Sequence, residues 1–177
     1  TVPSLLAQRV ERLMAAGRPD QVVRLVGRAT AIVDDAAVAR ARADALILTG
    51  DLPAACTAAE TMVRDSDDPY WLKAVTLCRA KAGDVAGAAL AVELFHEQSA
   101  PDPEFSKLSL ALIGGAKDQA PVFADLDALR FETLRTLKTP WPTGLADIAT
   151  PTVLRALASD SALDLDLRLV LAERAAD

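Results

Sequence analysis

Lys81-Ala82-Gly83-Asp84 closes one apolar-patterned run and opens the next. The same device stands at Leu48-Thr49-Gly50-Asp51 and, with the aspartate replaced, at Met14-Ala15-Ala16-Gly17. The glycines at 17, 50 and 83 are 33 residues apart, and a fourth turn, Gly114-Gly115, follows 32 residues after Gly83. Run starts keep the same beat: Pro3, Ala36, Pro69 and Pro103, the last three preceded by Asp35, Asp68 and Asp102. An aspartate accepts orphan backbone N–H groups at a helix start, and a proline behind it has no N–H to lose. A glycine past a helix end permits the left-handed cap. Starts and stops therefore agree on a unit of about 33 residues built from two helices, the signature of a helical repeat array.

Working outward, the spacing predicts helix pairs near 3–16 and 19–30, 36–49 and 53–65, 69–82 and 85–98, and 103–113 and 121–138. Val85, Ala88, Ala89, Val92 and Phe95 recur at steps of three or four, which is helix rather than strand. Leu126, Leu129, Leu134 and Leu137 do so with one longer step. Composition concurs: alanine is about a fifth of the 177 residues, while aromatic residues are 4%, a mixture that favours helices. Thr139-Pro140-Trp141-Pro142-Thr143-Gly144 then breaks the pattern. Short helices near 144–149 and 151–158 and a last one near 162–175 are expected beyond it. The last carries Leu163, Leu165, Leu167, Leu169 and Leu171. Leucines at two-residue steps also suit a strand, but Leu and Ala dominate and no partner strand is evident, so helix is the expectation. The expected fold is all-α: a right-handed antiparallel helix-pair solenoid of about four pairs over 1–138, with a C-terminal helical cap over 139–177.

These turns resemble tetratricopeptide repeats. Gly50-Asp51 and Gly83-Asp84 match that family's inter-helix turn, Ala55 and Ala88 its alanine five residues past the glycine, and Ala43 its small residue in the first helix. Arg9 and Arg42 stand where the family keeps a leucine, and Arg18-Pro19 follows the first glycine. The stretch Tyr70-Trp71-Leu72-Lys73 through Gly83-Asp84, then Glu93-Leu94-Phe95-His96-Glu97-Gln98 and Asp102-Pro103-Glu104-Phe105, is similar to a group of alphaproteobacterial envelope proteins with divergent repeats of this kind. That resemblance implies an exported, periplasmic scaffold linked to envelope integrity, with a cytoplasmic location as the alternative.

Charge and composition narrow the function classes. A net charge of −6 argues against a nucleic-acid partner, which calls for a basic surface. No apolar run reaches the roughly 18 residues of a membrane span. The residues before the first helix carry no signal-peptide pattern, as is expected both of an exported protein whose leader has been cleaved and of an excised domain. His96, the sole histidine, lacks a recognisable nucleophile and orienting acid, so no catalysis is expected. Asp65-Ser66-Asp67-Asp68 and Asp125-Leu126-Asp127 lack the ligand spacing of a calcium loop and read as solvated caps. Gly114-Gly115 lacks the surroundings of a phosphate loop. No metal or cofactor is expected.

Cys56 and Cys78 each lie 11 residues from Asp67, so an antiparallel hairpin sets them at one height. They are either a disulfide or two small buried thiols. The envelope resemblance favours the disulfide. By repeat phase, Glu11, Arg40, Asp44, Tyr70, Lys73 and Phe105 line a concave surface of first helices, while Trp71 and Leu72 pack between helices. Those six are either ordinary surface and packing residues or a mixed-charge groove for a protein or peptide. Trp141 is expected to plug the last repeat. The expected function is a non-catalytic interaction scaffold, and the alternative is a self-assembling segment of a larger protein.

Overall fold

The period is written in hydrogen bonds. In the computed structural model, which describes residues 4–29, 35–114, 124–142, 144–161 and 163–175, Gly17, Gly50 and Gly83 all have positive φ. The N–H of each following residue, Arg18, Asp51 and Asp84, donates to the carbonyl five residues back, at 2.8–2.9 Å. This is one helix-ending motif used three times at the same interval. Helix starts repeat as well. Asp35, Asp68 and Asp102 each accept backbone N–H bonds from the first turn they precede, as Ser4 does for the first helix. Asp51 and Asp84 cap the second helices of their pairs through the N–H three residues on. Arg18 has no such side chain, and the proline at 19 takes its place in opening the helix.

The helices among the described residues are α1 (Leu5–Ala15), α2 (Pro19–Gly27), α3 (Ala36–Leu48), α4 (Leu52–Asp65), α5 (Pro69–Lys81), α6 (Val85–Gln98), α7 (Pro103–Gly114), α8 (Ala128–Leu137), α9 (Leu145–Ile148), α10 (Pro151–Ala158) and α11 (Leu165–Arg174). The fold is all-α, and its helices pack in sequence order against their neighbours, α1 on α2, α2 on α3, α5 on α6 and α6 on α7. Among the described residues the only strand-like pairing is a single bridge. Pro3 and Gly115 lie outside the described residues, as do positions 121–123.

Two compact units divide the chain. The first comprises Thr1–Ala55, Asp125–Ala128 and Gly144–Asp177. Its core gathers Val10, Val22, Val38 and Ala45, with Leu6, Leu13, Val23 and Val26 against them. Residues 144–177, expected as a cap, belong to this unit, where α10 packs on α1 and α3. Val153 and Leu157 of α10 are fully buried. At Gly17 a β-carbon would meet the Arg155 Nε at 3.1 Å and the Pro151 carbonyl at 3.2 Å. The turn after α1 must therefore be glycine twice over, for its φ of +64° and for the closeness of α10. Leu126, fully buried, donates its N–H to the Ile148 carbonyl at 2.7 Å and accepts from the Thr150 N–H at 3.2 Å. Those bonds occupy the backbone of 126 in a parallel bridge to Ala149. The eighth helix consequently starts at Ala128 rather than the expected 121.

The second unit comprises Cys56–Ala124 and Leu129–Thr143. Its central element is α5. Tyr70, Trp71, Leu72, Ala74, Val75, Thr76 and Leu77 are all buried, which is more than one helix face. A helix that buries more than one face is covered on more than one side. The α8 helix ends at Lys138, the one non-glycine residue of positive φ among those described, at 53°. Trp141 stacks on Phe131 of α8, with ring centroids 5.6 Å apart and planes 19° apart. The expected plug is thus packed on the last helix of the repeat region.

Candidate functional site

Every polar residue of α5 that leaves its core is spent on a neighbour within the second unit. Cys78 is bonded to Cys56 of α4, with Cα atoms 5.6 Å apart, so the disulfide alternative holds. Arg79 makes a two-point pair with Glu60 of α4 and reaches the Gly87 carbonyl of α6 at 3.4 Å. Lys81 meets Glu132 of α8 at 2.5 Å, and Arg135 approaches the same carboxylate at 3.5 Å. The Glu132 side chain is 4% exposed, so its charge is tolerable only because two cations face it.

Lys73 has the most enclosed position of the three. Its Nζ lies 2.5 Å from Asp102, 5.1 Å from the Phe95 ring centroid and 5.5 Å from that of Phe105. The two rings are themselves 4.5 Å apart. An ammonium held over two aromatic faces gains on both. Asp102 also accepts the Phe105 N–H at 2.9 Å and so caps α7. Burial pushes the Asp102 carboxyl up. The hydrogen bond from Lys73, the Phe105 N–H and the charges of Lys73 and Arg130 outweigh it and hold the group below its ordinary value. Glu60 is lowered first by the hydrogen bond from Arg79, against the opposing effect of burial. Arg79 is raised by the same bond from Glu60.

The six groove residues fall into two sets. Glu11, Arg40 and Asp44 are in the first unit, and Tyr70, Lys73 and Phe105 in the second. Glu11 and Arg40 are exposed and Asp44 is half-buried. Lys73 and Phe105 are brought together, but around Asp102 and Phe95 rather than toward solvent. Tyr70 is 5% exposed and Phe105 8%, so neither presents a ring to an open groove. The physical reason is the enclosure of α5. Adjacent residues point about 100° apart, yet both Tyr70 and Trp71 are buried because the helix is covered on more than one side. They meet edge to face at 4.9 Å.

The expected groove residues include none on α11. Leu171 is fully buried, where α11 packs on α10 and α9. Leu165, Leu169 and Val170 are 63%, 55% and 53% exposed. The leucine alternation, which also suits a strand, is the available signal. On a helix, two-residue steps place leucines on opposite sides, and one surface-lying helix buries only one side. Among the described residues no cluster of His, Cys, Asp or Glu has a metal-binding arrangement, and no helix is long and apolar enough to cross a membrane.

No protein-family model, curated protein or solved structure matches the chain.

Proposed function

We propose that this chain is a non-catalytic scaffold for protein–protein interaction, with tetratricopeptide-like repeats, acting in an oxidising compartment such as the bacterial periplasm or cell envelope and serving envelope integrity. The observation that carries the reading is the outward side of α11, where Leu165 and Leu169, four residues apart on one helix face, are both more than half exposed on a helix anchored by Leu171. Large apolar side chains grouped on one exposed face are a feature of contact surfaces. The Cys56–Cys78 bond supports the compartment, since disulfides persist where thiols are not kept reduced. The internal use of Lys73, Arg79 and Lys81 supports rigidity. A surface that is already ordered loses little freedom on binding.

The test is photo-crosslinking of the full chain in its native host, with a photoreactive residue placed in turn at the exposed positions Glu11, Leu90, Leu110 and Leu169. The expected result is a discrete adduct with another protein at one or more positions. Adducts only with a second copy of the chain would favour the self-assembling segment instead. Unmodified monomer at every position would overturn the scaffold.

A further inference from the structure

Leu165, Leu169 and Ala172 are exposed and separated by four and three residues, the spacing of a coiled-coil seam. Beside that seam run Asp166 and Glu173, both exposed and seven residues apart, so both acidic groups lie along one edge. The opposite edge holds Arg168, which is half-buried and donates its Nε–H to the Ala158 carbonyl at 3.0 Å. We infer that the outer face of α11 is a docking seam for one amphipathic helix of another protein, whose apolar seam is flanked by lysine or arginine. The inference rests on the scaffold reading and names the chemistry of its partner.

Charge selects this occupant over the others. An antiparallel second copy would set the Asp166–Glu173 edge against its own duplicate. A parallel copy would set that edge opposite Arg168, which is half-buried and has its Nε–H held by the Ala158 carbonyl. Two chains of −6 each also repel over a longer range. An anionic lipid surface meets the same acidic edge unfavourably. A basic flank on a helix of another protein meets it favourably, and the exposed leucines supply the apolar contact.

The test uses the full chain and two synthetic three-heptad helices with identical leucine seams, one flanked by lysine and one by glutamate. The expected result is that the lysine-flanked helix binds about tenfold or more tighter than the glutamate-flanked one, with the gap narrowing as salt is added. The double variant Asp166→Lys/Glu173→Lys should invert the preference. Leu165→Ser/Leu169→Ser should abolish binding of both while leaving helix content unchanged, because both leucines are exposed. Equal binding of the two peptides, binding of neither, or binding untouched by the leucine pair would overturn the inference. So would a concentration-dependent dimer of the unaltered chain that the leucine pair abolishes, since a second copy would then be the occupant. Adducts at positions 11, 90 or 110 that persist in the leucine variant would leave the scaffold standing while this seam fell.

Discussion

Arg79 holds Glu60 at two points, Nε to Oε1 at 3.0 Å and Nη2 to Oε2 at 3.2 Å. It does so next to Cys78 on one helix and one turn beyond Cys56 on the other, so a covalent and an ionic link tie α4 to α5 at nearly one level. Cys56→Ser/Cys78→Ser therefore removes only one of two links. The disulfide closes a separation of 22 residues, for which chain entropy gives a stabilisation of about 3 kcal/mol. Urea unfolding should show a loss of about 2–4 kcal/mol with helix content retained. Thiol titration of the unfolded, unreduced chain should find no free thiol.

The Lys73–Asp102 contact makes an acid-sensitive joint. Asp102 is held below its ordinary value of 3.8 and Glu60 below 4.5. A carboxylate lowered by folding contributes stability that is complete above its unfolded value and is lost as pH falls through its folded one. Stability should thus be flat for these groups above about pH 5 and decline below about pH 4. Asp102→Asn should be less stable at neutral pH and show a shallower acid decline. Melting temperature measured from pH 7 to pH 3 checks both, and parallel curves for variant and parent would contradict the assignment.

Lys138 ends α8 in the conformation that Gly17, Gly50 and Gly83 adopt at their own turns. The bonds match as well: the Lys138 N–H donates to the Arg135 carbonyl at 3.2 Å, and the Thr139 N–H to the Leu134 carbonyl at 3.4 Å. A side chain in the left-handed region costs about 1–2 kcal/mol, partly offset by the greater freedom glycine has when unfolded. Lys138→Gly should therefore stabilise the chain by about 0.5–1 kcal/mol, read as a higher urea midpoint at unchanged slope.

What the sequence made legible follows from range. Caps and turns act over three to five residues, so Asp35, Asp68, Asp102, Gly50 and Gly83 announced their helices almost to the residue. The Cys56–Cys78 pairing needed only the hairpin they share. The burial of Tyr70 and Phe105 depended on how many sides of α5 are covered, which no local pattern around residue 70 encodes. The grouping of 144–177 with 1–55 and the start of α8 at 128 both depend on contacts across many residues, among them Leu126 with 148–150 and Arg155 with Gly17. The candidate seam on α11 was present as an ambiguity: five leucines at alternate positions are too many for one face of a surface helix.

That ambiguity gives the most discriminating stability comparison. Leu171 and Leu169 are two residues apart on α11, yet one is fully buried and the other 55% exposed. Leu171→Ala would empty a packed site against α10 and should cost about 2–5 kcal/mol. Leu169→Ala removes a side chain that contributes little to the fold, and its effect should stay within about 0.5 kcal/mol. If instead Leu169→Ala costs as much as Leu171→Ala, the outer face is already covered within the chain, and the seam proposed for a basic helix is not free. If the two separate as expected, a leucine whose removal leaves stability unchanged but abolishes peptide binding owes its place on α11 to the partner and not to the fold.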